Sequence, residues 1–444
     1  MTTAGRTACA ARRAMNAEAG REACEIDCDL MSRAKWAWRF NDVLMAMTVE
    51  VPVCGPVSEP VRGLGRVARN LASADGRLIP LIIAAAALLG GCAADSAVKC
   101  APDLNGSPAV RGRQGTERFE FVRVVMGVQA RIVLYAASRD EAFDAANQAF
   151  TRLSELDEMM SDYRLGSELN RLCRAEPGVP HPASAEMLAV LTVAEQVSRA
   201  SDGAFDVTVG PAVALWRAAR KSGILPTMAE RTAAVSRVGW RSVVVDSTRG
   251  TVTLMREGVQ LDFGGIAKGF AAEQGVLKLK QLGYGSCLVA LAGDVAAGDS
   301  PPGMGGWKVE VMSGQKRTGR VLLVSNTSVS TSGDAEQFVE IGGKRYSHIV
   351  DPRTGLGTPG GVSVTVVGRP GAVVDALGKA LVVPGATRLN QAALVLAHFR
   401  GCAAIEMTPG LEADGVESWR VFDPEGILRF APEVKPDGLH IEGR

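Results

Sequence analysis

The stretch LDFGGIAKGFA, residues 261–271, reads as a buried strand that turns through paired glycines into a helix. Gly264 and Gly265 allow positive φ and a close approach of backbone to a ligand. A helix starting near Ile266 aims its free N–H groups and the positive end of its dipole at an anion. Asp262 and Lys268 flank the turn with opposite charges. The combination suits a phosphate or pyrophosphate, with or without a divalent metal. Turns of this kind also arise for packing alone, so the stretch by itself leaves both readings open.

The rest of the chain sets bounds on that site. With 444 residues, 47% of them hydrophobic, the chain can bury a large core and has room for more than one domain. A formal net charge of +1 gives no reason to expect nucleic acid as a partner. The cysteines are scattered and form no disulfide framework. Cys24 and Cys28 lack a second pair or a neighbouring histidine that would complete a metal site.

Upstream, residues 78–91 (LIPLIIAAAALLGG) are apolar without interruption, follow Arg62, Arg66, Arg69 and Arg77, and end at Cys92. A charged region followed by an apolar run too short to span a bilayer comfortably is the pattern of an export signal. LGGC resembles the lipobox of bacterial lipoproteins, which makes Cys92 the expected lipidated residue. The expected organisation is an N-terminal extension over 1–77, produced in part by a start codon placed too early, then a signal over 78–92 and a small, polar tether over 93–117. The folded body runs from 118 to 430, with a tail over 431–444.

Within the body, Phe119, Phe121 and Val125, then Ile132–Leu134 in the numbering 132–134, predict two strands meeting at Met126-Gly127. Ser138 with Glu141 is a capping-box pattern that opens a helix whose apolar residues recur at helical spacing as far as Met160. Tyr163 follows in a polar loop, either to stack on a ring or to pack back on the body. A second amphipathic helix is expected over 184–200, after which Phe205 and Asp206 leave together before Gly210-Pro211. Residues 242–246 and 251–255 read as a hairpin. Residues 288–295 read as one buried strand and 307–312 and 321–324 as continuations of the same sheet; a helix over 389–399, a strand over 403–407 and a terminal hairpin complete the body through about residue 430, and 441–444 read as an unstructured end.

The densest polar chemistry is STSGDAEQFVEIGGKRYSHIVDPRTG, residues 330–355, where Gly342-Gly343 marks a tight hairpin. It brings hydroxyl groups near Tyr346, Ser347, His348, Asp351 and Arg353. A helix over 372–383 carries Asp375 on an otherwise apolar surface. A buried carboxylate is costly unless paired or bound to a cation. Lys379, four residues on, offers an ordinary salt bridge, and a metal is the alternative.

Together these stretches resemble the ApbE family of FAD:protein FMN transferases. The likeness is carried, in order, by Met126-Gly127, MSDYRLGSELNR, DGAFDVTVGP, LDFGGIAKGFA, AGD at 292–294, STSGD at 330–334, YSHIVDPRTG at 346–355 and DALGKAL at 375–381. The resemblance implies an α+β fold, a single compact body with a mixed sheet, packed helices and a flavin cleft between lobes. It implies FAD contacts at Met126, Tyr163, Ala204, Phe205, Asp206, Asp262, Lys268 and Ile349. It also implies Mg²⁺ held by a carbonyl of the glycine turn, at Gly265, and by Asp375, with Gly378 and Lys379 at the positions three and four further on. The last position is usually threonine in the family, so Lys379 is a departure that supplies a cation in place of an oxygen.

The implied activity is transfer of FMN from FAD to a Ser or Thr hydroxyl of an acceptor protein, with release of AMP. The implied acceptor is a membrane redox subunit. His348 or Asp351 is the candidate base. An FAD pyrophosphatase and a lipid-anchored flavin binder without catalysis are the competing readings. The expected location is the bacterial cell envelope, lipid-anchored and facing the periplasm.

Overall fold

The computed structural model describes residues 115–313, 316–333, 338–383, 388–408, 418–432 and 440–442, all within one compact unit, Leu104–Arg444. The N-terminal extension, the signal with Cys92, the Cys24/Cys28 pair and nearly all of the tether lie outside the described residues.

Nine strands form the main sheet, and they neighbour one another in chain order. They are β1 (Glu117–Val125), β2 (Val128–Ala136), β3 (Cys287–Leu291), β4 (Asp294–Ala297), β5 (Thr327–Gly333), β6 (Ser363–Gly368), β7 (Ala403–Thr408), β8 (Ser418–Phe422) and β9 (His440–Glu442). Every pairing is antiparallel except the last, β8 with β9, which makes the sheet mixed. The β1–β2 turn forms at Met126-Gly127, both at positive φ (53° and 71°). That is the geometry a two-residue hairpin favours.

Alternation along the strands separates two cores. Ile132, Leu134, Val364 and Val366 face the helical side, whereas Val133, Val329, Val367, Ile405 and Met407 face the other. On the helical side pack α1 (Arg139–Met160), α2 (Ala185–Ala200), α4 (Ala267–Gln281) and α5 (Gly371–Val382), with α3 (Gly210–Ser222) placed apart. Ser138 caps α1 by accepting from the Glu141 N–H, as the sequence pattern predicts. The opposite face is covered by a separate ribbon, Trp307–Ser313 with Lys316–Val324, through Trp307, Val311, Leu322 and Val324. A third cluster joins α3 to the small sheet of Phe338–Ile341, Lys344–Asp351 and Leu356–Pro359.

Several expectations are corrected. Residues 307–312 and 321–324 form that covering ribbon and do not extend the main sheet. Residues 288–295 form two strands, because the chain reverses at Ala292 (φ 51°) and Gly293 to make the β3–β4 hairpin. Toward the end of the chain β8 pairs antiparallel with β7, and β9 returns parallel to β8 and takes in residues 441 and 442, where an unstructured end was expected. Residues 261–263 belong to no strand, where a buried strand was expected; Gln260 bridges to Val209, and the Asp262 N–H donates to the Val207 carbonyl.

The helices α4 and α5 cross where both carry glycine. A Cβ on Gly269 would sit 2.3 Å from the Gly371 carbonyl oxygen, and a Cβ on Gly371 would sit 2.3 Å from that of Gly269. Only residues without side chains let the two backbones come this close. The crossing sets Asp375 of α5 against the first turn of α4.

Candidate functional site

Asp375 is fully buried and accepts a hydrogen bond from the Gly269 N–H at 2.9 Å through Oδ2. Its Oδ1 accepts from the Lys379 ammonium one helical turn on. The Lys268 ammonium lies 3.9 Å from Asp375 Oδ2, 2.9 Å from Asp294 Oδ2 and 3.3 Å from the Gly264 carbonyl oxygen. Asp294 and Ser330 sit opposite each other on β4 and β5, so the Ser330 hydroxyl donates to Asp294 Oδ1 at 2.6 Å. Two carboxylates and two ammonium groups are thus knitted into one buried cluster.

The electrostatics follow from that arrangement. Burial works against the Lys268 charge, yet Asp294 and Asp375 outweigh it and raise its pKa. Burial likewise opposes the Asp294 charge, but Lys268, Lys379 and the Ser330 hydroxyl hold its carboxyl below the usual range.

Beside the cluster opens a cavity of about 1140 Å³, beyond the roughly 300–1,000 Å³ common for small-molecule sites. Lys268 and Lys379 line it from below, Met126 and Tyr163 from one rim, and His348 and Ile349 from the small sheet. Thr331, Ser332 and Gly333 of β5 complete that wall. Ser332 Oγ is buried and has no hydrogen-bond partner among the described residues.

The remaining sequence-predicted residues are distributed around this cavity and do not all reach it. Asp262 accepts from the Gly264 N–H at 2.8 Å and from Arg217 at 3.1 Å. Burial, and then the nearby Asp162, push its carboxyl up, with Arg217 opposing them. Arg217 also donates to Asp162 at 2.5 Å and lies 4.7 Å from the centre of the exposed Tyr163 ring. The phenol is therefore held over the cavity rim by a guanidinium.

Phe205 backs the glycine turn, since a Cβ on Gly265 would sit 3.3 Å from its ring. The Asp206 carboxylate is spent on local bonds from Thr208 and from the Trp240 N–H, and Ala204, Phe205 and Asp206 are not among the residues that line the cavity. Asp351 is not among the cavity residues: Arg353 grips both its oxygens, at 2.9 and 3.0 Å.

The glycine turn also differs from expectation. Neither Gly264 nor Gly265 has positive φ. The crowding of Gly265 by Phe205 and by the Lys379 stem explains glycine there. The first amides of α4 are mostly engaged internally, Ile266 and Ala267 with the Phe263 carbonyl and Gly269 with Asp375, so they offer less to an anion than a bare helix start. Among the described residues no group of three or more His, Cys, Asp or Glu is placed to hold a metal. Gly378 contributes no side chain, because a Cβ there would sit 2.5 Å from Ser332 Oγ.

Arg217 escaped the sequence reading, and Ser332 entered it only as part of the polar stretch 330–334 and not as a residue of the site. Arg217 follows the buried Trp216 on α3 and carries no motif of its own. Ser332 belongs to a run in which Ser328, Ser330 and Ser332 alternate, and the period of two could have marked one buried hydroxyl-bearing face.

The model of the ApbE family matches residues 126–404, more than half of the chain. The chain belongs to the ApbE family. It is 28% identical over 348 residues to the FAD:protein FMN transferase of Salmonella typhimurium, covering 76% of this chain and 93% of that protein. It is 30% identical over 329 residues to that of Treponema pallidum, covering 70% of this chain and 87% of that protein. Among solved structures, the flavin transferase ApbE from Vibrio cholerae superposes with a TM-score of 0.61 at 24% identity, covering 69% of this chain and 98% of that one. The apo flavinyl transferase ApbE of Pseudomonas stutzeri gives 0.58 at 26%, covering 68% and 95%.

Proposed function

We propose that this ApbE-family protein transfers FMN from FAD to a Ser or Thr hydroxyl of an acceptor protein. The observation that carries the reading is the cluster itself: two ammonium groups, fixed by Asp294 and Asp375, line a cavity large enough for a dinucleotide. The names of its relatives point the same way.

The acceptor oxygen attacks the phosphorus on the FMN side of the pyrophosphate. A new P–O bond forms, the bridging P–O bond breaks, and AMP leaves with the bridging oxygen. The hydroxyl proton passes to a base or to water. Such a transfer needs its non-bridging oxygens neutralised and its reactants aligned more than it needs covalent help. Lys268 and Lys379 supply the charge, and the unpartnered Ser332 hydroxyl can donate to an oxygen of the same group. His348, on the cavity wall, is the base this geometry favours, since Asp351 is held by Arg353 away from the cavity.

The Mg²⁺ that the resemblance implies would have one carboxylate, Asp375, to hold it. One oxygen of that group already carries the Lys379 ammonium, the other takes the Gly269 N–H, and Gly378 offers no side chain. The residues present do not fit a divalent cation, and no step is assigned to one. For the acceptor we propose a membrane redox subunit, and for the location a lipid anchor at Cys92 on the periplasmic side of the bacterial envelope.

The test is to incubate the protein with FAD and an acceptor domain, denature, and look for flavin fluorescence on the acceptor. Covalent flavin with equimolar AMP is expected. AMP formed at the same rate with or without acceptor, and no flavin attached, would instead select an FAD pyrophosphatase. Full transfer by His348→Asn across neutral pH would remove His348 as the base.

A further inference from the structure

The place a divalent cation would take between the glycine turn and Asp375 is filled by a side chain. A Cβ on Gly265 would lie 3.2 Å from Lys379 Cγ and 3.8 Å from its Cδ, so the lysine stem runs along the turn. Its ammonium ends on Asp375 Oδ1. The side chain thus spans the gap between the two groups expected to hold the ion. Charge points the same way: Asp294 and Asp375 are already balanced by Lys268 and Lys379. A divalent ion would enter beside an ammonium with little water to separate them, where like charges repel most strongly.

The neighbouring positions close the other routes. A liganding side chain at position 378 would collide with Ser332 Oγ. Lys268 is engaged by Asp294 and by the Gly264 carbonyl, so it does not release a carboxylate for metal binding. Lys379 keeps a small exposed surface (15%), and that surface borders the cavity. Its ammonium holds Asp375, and the side chain is among those that line the cavity a ligand would enter.

We infer that the Lys379 ammonium takes the place of a divalent cation, and that this protein binds and cleaves the FAD pyrophosphate without metal. The inference rests on the transferase reading for the identity of the ligand. The bonds made and broken are those already given; the change is that the negative charge growing on the non-bridging oxygens meets Lys379 and Lys268 in place of an ion.

The test uses the full-length protein in three conditions: chelator, Mg²⁺, and Mn²⁺ as a spectroscopic probe. Electron paramagnetic resonance of Mn²⁺ should show no ion taken up by the wild type, with or without FAD. The dissociation constant for FAD, from flavin fluorescence, should change by less than about twofold between chelator and Mg²⁺. In Lys379→Thr, FAD binding in chelator should weaken by about tenfold or more, and added Mn²⁺ should bind and restore it. Lys379→Arg, which keeps the charge, should remain indifferent to metal.

The wild-type measurements decide the matter even if Lys379→Thr does not fold. Uptake of one Mn²⁺ per wild-type chain, together with about tenfold weaker FAD binding in chelator, would overturn the inference. If binding is indifferent to metal and AMP still forms from FAD in chelator, yet no flavin reaches an acceptor, the inference is supported and the transferase reading is what fails; AMP formed only with Mg²⁺ would overturn the inference.

Discussion

Two buried carboxylates from motif-like stretches of this chain have been satisfied in opposite ways. Asp206 accepts from the Thr208 N–H and hydroxyl at 2.8 and 2.7 Å and from the Trp240 N–H at 2.8 Å, all neutral donors. Burial therefore still weighs on its charge, and its carboxyl is pushed up despite those bonds. Asp294 is no more exposed, yet it is held below the usual range by two ammonium groups. The first arrangement ties residues 206–208 to 239–240 and ends there. The second sets fixed positive charge along a cavity. A buried carboxylate in a family motif is thus evidence of function only when its partners face a space that a ligand can enter.

The largest effect expected from breaking this contrast is at Asp375. Asp375→Ala leaves Lys268 and Lys379 to share Asp294 and should cost about 3–5 kcal/mol, as when one partner of a buried pair is removed. Chemical denaturation measures it, and a loss well under 1 kcal/mol would mean that the lysines find water in the cavity. Transfer activity should be lost in the same variant. Next comes Gly269→Ala, whose methyl group must push α4 off α5 and lengthen the Gly269–Asp375 hydrogen bond. Overpacking of this kind costs roughly 1–3 kcal/mol, and unlike Asp375→Ala it leaves the charges in place.

Asp206→Asn should cost roughly 1–3 kcal/mol, because the amide must turn its NH₂ toward either Thr208 or Trp240, donor against donor. FAD affinity of the folded fraction should be unchanged. A loss of affinity without loss of stability would mean that the side chain meets the flavin.

The same pair separates by pH. Asp294, with its folded pKa below the unfolded value, adds stability that is present above the unfolded value near 3.8 and is lost as pH falls through the folded one. Asp206, with its folded pKa above the unfolded value, does the reverse: its contribution is greatest below 3.8 and declines as pH rises through the folded pKa. The stability difference from wild type should therefore slope in opposite directions with pH for Asp294→Asn and Asp206→Asn. Parallel slopes would mean that the two carboxylates are alike.

Much of the fold was legible because it follows local rules. The Met126-Gly127 turn, the Ser138 cap and the Gly342-Gly343 hairpin each sit where turn and cap chemistry put them. The glycine turn was legible, but for the wrong reason: Gly265 answers to crowding by Phe205 and Lys379, which lie 60 and 114 positions away in the sequence, and Gly264 to the neighbouring Asp262 carboxylate. The serine face of β5 was within reach of its period of two, but the Gly269–Gly371 crossing and the separate ribbon depend on which surfaces meet, and neither periodicity nor propensity carries that. The family motifs named Asp206 and Asp375 together, and only the contacts separate a knot from a charged wall.

The smallest effect expected lies at the rim, between these extremes. Arg217 joins Asp162 and Asp262 and faces Tyr163, but its side chain is 39% exposed, so its ion pairs are screened by water. Arg217→Gln should change stability by less than about 1 kcal/mol. Its consequence should appear in binding, since the guanidinium holds the Tyr163 ring over the cavity: KM for FAD should rise several-fold with kcat little changed. Lysine at the same position should recover part of the charge but not the planar contact with the ring. If kcat fell while KM stayed fixed, Arg217 would act on the transferring phosphate and belong with Lys268 and Lys379, and the rim would be part of the charged wall.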